Sequence, residues 1–233
     1  MERTNLDLKQ LRNWCLTALV FWSVLMNGSL CLFAKNEWQS VKFIGSEIGL
    51  AAIHKDNVYE IWNARYGGVY VFASDDHSSN TYLSKNDVFT EDGKKLTLIN
   101  PARMTRQVYE IEQAMYGIQG HITSLDALRP ENNPDEWEKK ALLQFEQGAK
   151  EVVELMNPFI RVMAPTIMQK SCLKCHIESE HKPGEIRGGI SVTLPIERIV
   201  AIFKRNFKSS LLYHFLIYLI GITGLAVFYF HTL

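Results

Sequence analysis

Two stretches of the chain hold no Asp, Glu, Lys or Arg: Cys15 to Ala34 and Leu211 to Phe230. A helix needs about 20 apolar residues to cross roughly 30 Å of hydrocarbon, so each stretch predicts a membrane-spanning helix. Trp14, Trp38, Tyr213 and Tyr229 stand near their ends, where aromatic rings favour the membrane–water boundary. Arg3, Lys9 and Arg12 precede the first stretch as they would in a signal peptide. No small-x-small cleavage site follows, so an uncleaved anchor is expected. The second stretch is apolar all round, which a chain this short could hardly bury in a core.

Between these runs the periodicity changes. Val41, Ile44, Ile48, Ala51, Val58 and Trp62 recur at alternating three- and four-residue spacing, with Lys55 breaking the register. This predicts a helix over 36–66. Its stripe is expected to pack on its own domain, with a dimer seam as the sharper alternative. Gly67-Gly68 should end the helix. Val69–Phe72, Leu96–Ile99, His121–Leu125, Phe159–Ala164 and Gly189–Leu194 read as strands.

Asn100-Pro101 supplies an N-cap and a first-turn proline for a helix to about Tyr116. Asp135 to Gln147 is amphipathic and helical. Ser74 to about Lys94 reads as a polar loop, and Arg129 to Pro134 as a Pro-rich one. Pro195 should open a last helix whose apolar face is Ile196, Ile199, Val200, Phe203 and Phe207. The expected class is α+β, a long helix and a small mixed antiparallel sheet with helices on one side. Its element order is similar to a PAS-like fold between two membrane helices.

Composition narrows the function. The 233 residues carry 25 Lys+Arg against 25 Asp+Glu, and 47% are apolar. That balance excludes a disordered chain and a binder held to nucleic acid by a basic surface. Four cysteines are too few for a disulfide scaffold. Two of them, Cys15 and Cys31, lie in the first apolar run.

The other two belong to Cys172-Leu173-Lys174-Cys175-His176. Two cysteines three apart followed at once by His form the c-type haem attachment pattern. Each thiol can add to one haem vinyl group, and the adjacent imidazole can reach the iron. A zinc site would need further Cys or His ligands at similar spacing. A redox pair would usually open a helix in a βαβ setting, and a simple disulfide would be strained. Attachment of haem to such motifs takes place outside the bacterial cytoplasm. The expected organisation follows: a cytoplasmic N-terminus at 1–14, a span at 15–34, a periplasmic domain at 35–210, a second span at 211–230 and a cytoplasmic end at 231–233. The chain is thus expected in the inner membrane, touching lipid at both spans.

Further strings carry a family resemblance. They are Trp62-Asn63-Ala64-Arg65-Tyr66-Gly67-Gly68-Val69-Tyr70-Val71, the run from Leu96 to Gln107, and His121-Ile122-Thr123-Ser124-Leu125. Leu128-Arg129-Pro130-Glu131-Asn132, Trp137-Glu138, Met163-Ala164-Pro165 and Arg187-Gly188-Gly189-Ile190-Ser191-Val192 follow in order. With the haem motif they resemble the c-haem, PAS-like periplasmic sensor domains found before bacterial histidine kinases and diguanylate cyclases. The resemblance implies one covalent haem c on Cys172 and Cys175, with His176 as proximal iron ligand. Some relatives supply a Cys from the first helix as second ligand, but here that region reads Ile61-Trp62-Asn63.

Met104 and His121 are the leading candidates for the second ligand, His54 is a third, and an open or water-ligated iron is the alternative. Core packing is the ordinary role for Met104, and a hydrogen bond to a loop the ordinary one for His121. Arg103, Arg106, Arg129 and Arg187 are candidates to pair with haem propionates, against plain structural ion pairs. Relatives continue into an output module, whereas this chain is expected to pass its signal to a cytoplasmic partner. The favoured reading is therefore a non-enzymatic redox or gas sensor. The alternative is a monohaem electron-transfer cytochrome docked on a membrane redox complex. A second copy of the chain is a further candidate partner.

Overall fold

The computed structural model describes residues 8–74, 87–127, 129–174 and 181–232. It comprises two compact units, one of Met1–Phe43 with Arg198–Leu233 and one of Ile44–Glu197.

Two long helices supply the first unit: the opening part of α1 (Leu8–Tyr66) and nearly all of α4 (Glu197–Thr232). Both contain a window long and apolar enough to cross a membrane, by length and composition. Almost none of either window is buried, with Phe21, Val24, Ile220 and Phe230 among the exposed side chains. A core helix would hide such residues. Polar groups link the two helices: Ser23 Oγ and Tyr218 Oη lie 2.9 Å apart, and His214 Nε2 lies 3.2 Å from Ser29 Oγ. Trp38 and Phe203 meet edge-on at 5.4 Å.

The second unit is built on antiparallel sheets. Strand β1 (Val69–Phe72), β2 (Asp87–Phe89) and β3 (Lys95–Ile99) form one sheet in the order β1-β3-β2. Strand β4 (Gln119–Thr123), β5 (Val152–Met156), β6 (Phe159–Ile167) and β7 (Ile186–Pro195) form the other in the order β4-β7-β6-β5. Alternation along the larger sheet makes two faces. Ile160 and Val162 of β6, with Ile190, Val192 and Leu194 of β7, are buried on one. The last part of α1 meets this face through two small residues a helical turn apart. A Cβ on Gly49 would lie 2.7 Å from Val162 Cγ2, and one on Gly45 would lie 3.0 Å from Ile160 Cδ1. Helix α2 (Pro101–Tyr116) places Tyr109 over Gly120 of β4. Helix α3 (Glu136–Glu146) covers the opposite face, packing Ala141, Leu142 and Phe145 on Met163.

The α+β class and the antiparallel pairing agree with the sequence, but the strands form two sheets rather than one, and helices pack on both faces of the larger sheet instead of on one side. Local details differ in several places. The expected helices over 15–34 and 36–66 are both present and run on as one, because Lys35-Asn36-Glu37 contains nothing that breaks helical hydrogen bonding. Pro195 ends β7, and α4 starts at Glu197. Strand β2 falls inside the stretch expected as a polar loop from Ser74 to about Lys94, because β3 supplies a partner for three residues too few to show a pattern. Strand β5 was not legible, since Glu154 interrupts its apolar pattern and pairs across to Arg161. Most of the stripe on α1 does not pack on its own domain: Val41 is buried, but Ile44, Ile48, Ala51, Val58 and Trp62 are exposed, and the domain takes Gly45, Gly49, Ile53, Asp56 and Asn63.

Candidate functional site

Strand β6 delivers the chain to the Cys172–His176 motif. Buried Met168 donates its backbone N–H to Glu185 O and accepts from Gly184 N–H, both at 2.9 Å. These bonds hold together the two ends of the segment that bears the motif. Cys172 opens a short 3-10 turn, Cys172–Lys174, and its N–H donates to Gln169 O at 2.9 Å. Its Sγ is half-buried and accepts from the Gln169 N–H at 3.4 Å. Cys175 and His176 lie outside the described residues.

The sequence's arginines separate into two places. Asn100 caps α2, its side chain accepting from the Arg103 N–H at 3.0 Å with Pro101 in the first turn. The helix then presents Arg103 and Arg106 three residues apart on one face. Burial pulls the Arg106 guanidinium below its ordinary pKa. The like charges of Arg129 and Arg103 add to that, against Glu131 and Glu110. Arg106 Nη1 is buried and has no hydrogen-bond acceptor among the described residues. A positive cluster with an unanswered donor suits a carboxylate-bearing ligand. Arg187, on β7, instead acts on Glu60 of α1. Burial raises the Glu60 carboxyl above its usual range, while Thr105 Oγ1, donating at 3.0 Å, and Arg187 oppose that rise.

His121 is committed on both ring nitrogens. Nδ1 meets the Glu138 carboxylate at 2.9 Å and Nε2 meets Glu131 O at 2.9 Å. A carbonyl oxygen and an ionised carboxylate can only accept, so both nitrogens donate and the ring is an imidazolium. The hydrogen bond to Glu138 raises the His121 pKa, against burial, in agreement with that state. As placed, the ring has no lone pair to offer iron. Met104 is half-buried, and its Sδ accepts a weak contact from Asn63 Nδ2 at 3.6 Å. His54 is exposed on α1.

Three groups went unread in the sequence. Glu138 reads as a first-turn helix charge. Instead it is 1% exposed and accepts from His121, Ser191 Oγ, Arg161 Nη2 at 2.8 Å and the Asp135 N–H at 3.0 Å. Burial would raise its pKa, but these donors, His121 and Ser191 first, hold it at about 2. The spacing Asp135-x-x-Glu138 was the available signal, because it closes a capping box. Arg161 also holds Asp135 at 2.7 Å and stacks over Trp137 at 4.4 Å. Asn63 is fully buried, donates to Ile99 O at 3.2 Å and leaves its Oδ1 without a donor among the described residues.

The family profile described as Tll0287-like matches residues 64–195, more than half of the chain. The chain belongs to the Tll0287-like family. The matched region runs from the end of α1 through β7 and includes the cysteine motif, the arginine cluster and His121. A crystal structure titled as the cyanobacterial heme-protein Tll0287 resembles this chain at 17% identity and a TM-score of 0.43. The match covers 63% of this chain and 91% of that one. No functionally curated protein matches the chain.

Proposed function

We propose that this member of the Tll0287-like family is a membrane-anchored c-type haem protein, a redox or gas signal-input module acting through a partner. The observation that carries the reading is the attachment motif, borne on a segment pinned at Met168 and Glu185 within the family's matched region. The protein that gives the family its name is described as a heme-protein. Cys172 and Cys175 would hold the haem through thioether bonds, and His176 would ligate its iron. The unanswered Arg106 donor, with Arg103 and Arg129 beside it, fits the propionates. The haem supplies a one-electron couple and an axial position sensitive to ligands.

The exposed apolar windows of α1 and α4 support two membrane spans, and extracytoplasmic attachment of haem supports a periplasmic domain in the bacterial inner membrane. The antiparallel sheet with helices packed on it supports a PAS-like fold. Signalling requires the signal to favour one of two conformations by its differential affinity for them. The reading assigns the chain no catalytic step.

The test uses the full chain and its Cys172→Ser, Cys175→Ser double variant. The unmodified protein should stain for haem on a denaturing gel and the variant should not. Staining that survives both substitutions overturns the c-type assignment. A reduced spectrum altered by carbon monoxide supports gas or redox sensing. A low-spin spectrum indifferent to it would move the reading to electron transfer with a membrane redox complex.

A further inference from the structure

Six residues of α1, Ile44, Ile48, Ala51, Lys55, Val58 and Trp62, keep alternating spacing of four and three without a slip. All six are exposed, Ile48 at 47% and Val58 at 63%. A helix on a globular domain repeats its apolar face every 3.6 residues, whereas a sustained 3.5 repeat matches a second helix wound around it. The domain does meet α1, but on a different face, through Gly45, Gly49, Ile53 and Asn63. The helix thus has one face already satisfied and a second, differently spaced face that is not.

We infer that this second face is the seam of a parallel, two-fold coiled coil between two copies of the chain, in register from Ile44 to Trp62. Charge is the first argument for a second copy as occupant. A self-paired seam sets Lys55 against Lys55, which an apolar interface would not accept as two free ammonium groups. Here the Lys55 Nζ is drawn off the stripe, 3.2 Å from Glu112 of α2 and 3.6 Å from Asp56. Each copy therefore neutralises its own charge, and the seam receives the methylene stem.

The flanking positions agree. In-register parallel pairing sets Glu47 against Ala52 and His54 against Tyr59, so no like charges oppose one another. An isologous seam needs such a self-complementary surface. The parallel sense rests on the membrane reading, since two copies anchored in one bilayer leave it in the same direction. The pairing itself does not depend on haem.

The experiment uses the full chain in detergent. Ile48→Cys, Val58→Cys and, on the exposed surface of α3, Lys139→Cys are each oxidised beside the unmodified protein, which shows what the native cysteines contribute. Ile48→Cys and Val58→Cys should each give a disulfide-linked species of twice the chain mass, because these positions meet their own copies only in a parallel pair. Lys139→Cys should add nothing to the unmodified background. Light scattering should show the particle mass halved by Ile48→Glu with Val58→Glu, with circular dichroism unchanged. No cross-link above the Lys139→Cys level overturns the proposal. So does a cross-linked band that is not twice the chain mass, which would mean another protein on the stripe. A cross-link found only when Ile48→Cys and Val58→Cys are combined overturns the parallel register. These readouts are of mass, so failure of haem staining would leave them intact.

Discussion

His121 Nδ1 donates to the Glu138 carboxylate at 2.9 Å, across the joint between β4 and α3, while its Nε2 donates to Glu131 O. Ligating iron would require a neutral ring with a free nitrogen, and both nitrogens of this imidazolium are committed. His121→Gln should therefore leave the low-spin absorption and magnetic spectrum of the haem protein unchanged. The same measurement on Met104→Ala should alter it if the thioether, which only a weak Asn63 contact now engages, is the second ligand. A spectrum changed by His121→Gln would show that the ring leaves Glu138 when haem is attached.

Glu138→Gln removes the charge on which His121, Arg161 and Ser191 converge, leaving two cations beside a neutral amide. Breaking one side of a buried, hydrogen-bonded ion cluster typically costs about 3 kcal/mol or more. Urea denaturation at pH 7 should show a loss of that order. The gap between variant and unmodified protein should narrow below pH 4.5, where the unfolded carboxyl takes up protons, and close towards about pH 2, the folded value.

The same cluster sets an upper limit on pH. The folded His121 pKa lies above its ordinary 6.5, so the stabilising charge is fully present below 6.5 and is lost as pH rises through the folded value. Glu138 works in the opposite sense, contributing above 4.5 and failing as pH falls. Together they predict greatest stability between about pH 4.5 and 6.5 for this cluster. His121→Gln should flatten the alkaline decline while retaining the acid one, as thermal unfolding across pH would show. An alkaline decline of equal slope in both proteins would place its cause elsewhere.

Elements with strong local signals were legible in the sequence. Asn100-Pro101 started α2 where expected, and Gly117, at φ 70°, ends it in the left-handed region that glycine tolerates. The strand Val69–Phe72 agrees in both bounds. Long-range polar pairing was not legible, because Glu138 and Ser191 are 53 positions apart and nothing local to either residue points to the other. Asp56 and Asn63 were missed for a related reason. They share a helical face with Ile53, and their burial depends on α2 and β3 arriving with Tyr109 and Ile99 as partners. The exposed stripe shows the reverse error: an apolar repeat gives a helix and its face but not what covers it.

The packing of α2 on β4 can be tested at a single atom. Tyr109 is buried, and its hydroxyl donates at 3.0 Å to Asp56, itself 2% exposed. One side of the ring lies against Gly120, where an added Cβ would fall 2.2 Å from Tyr109 Cε1. Gly120→Ala must displace the ring, and the ring cannot move without loosening its hold on Asp56. Burial already raises the Asp56 carboxyl pKa, and the Tyr109 hydroxyl opposes that rise. Overpacking of this kind costs roughly 1–3 kcal/mol, and the strained hydrogen bond places Gly120→Ala at the upper end. Tyr109→Leu should be destabilising in its own right by about 2 kcal/mol, since it leaves a buried acceptor unanswered. In that background Gly120→Ala should lose most of its effect, because the ring edge it strikes is gone. Denaturant melts of the two single variants and the double variant supply the cycle. Costs that simply add would mean that Gly120 is constrained by something other than Tyr109.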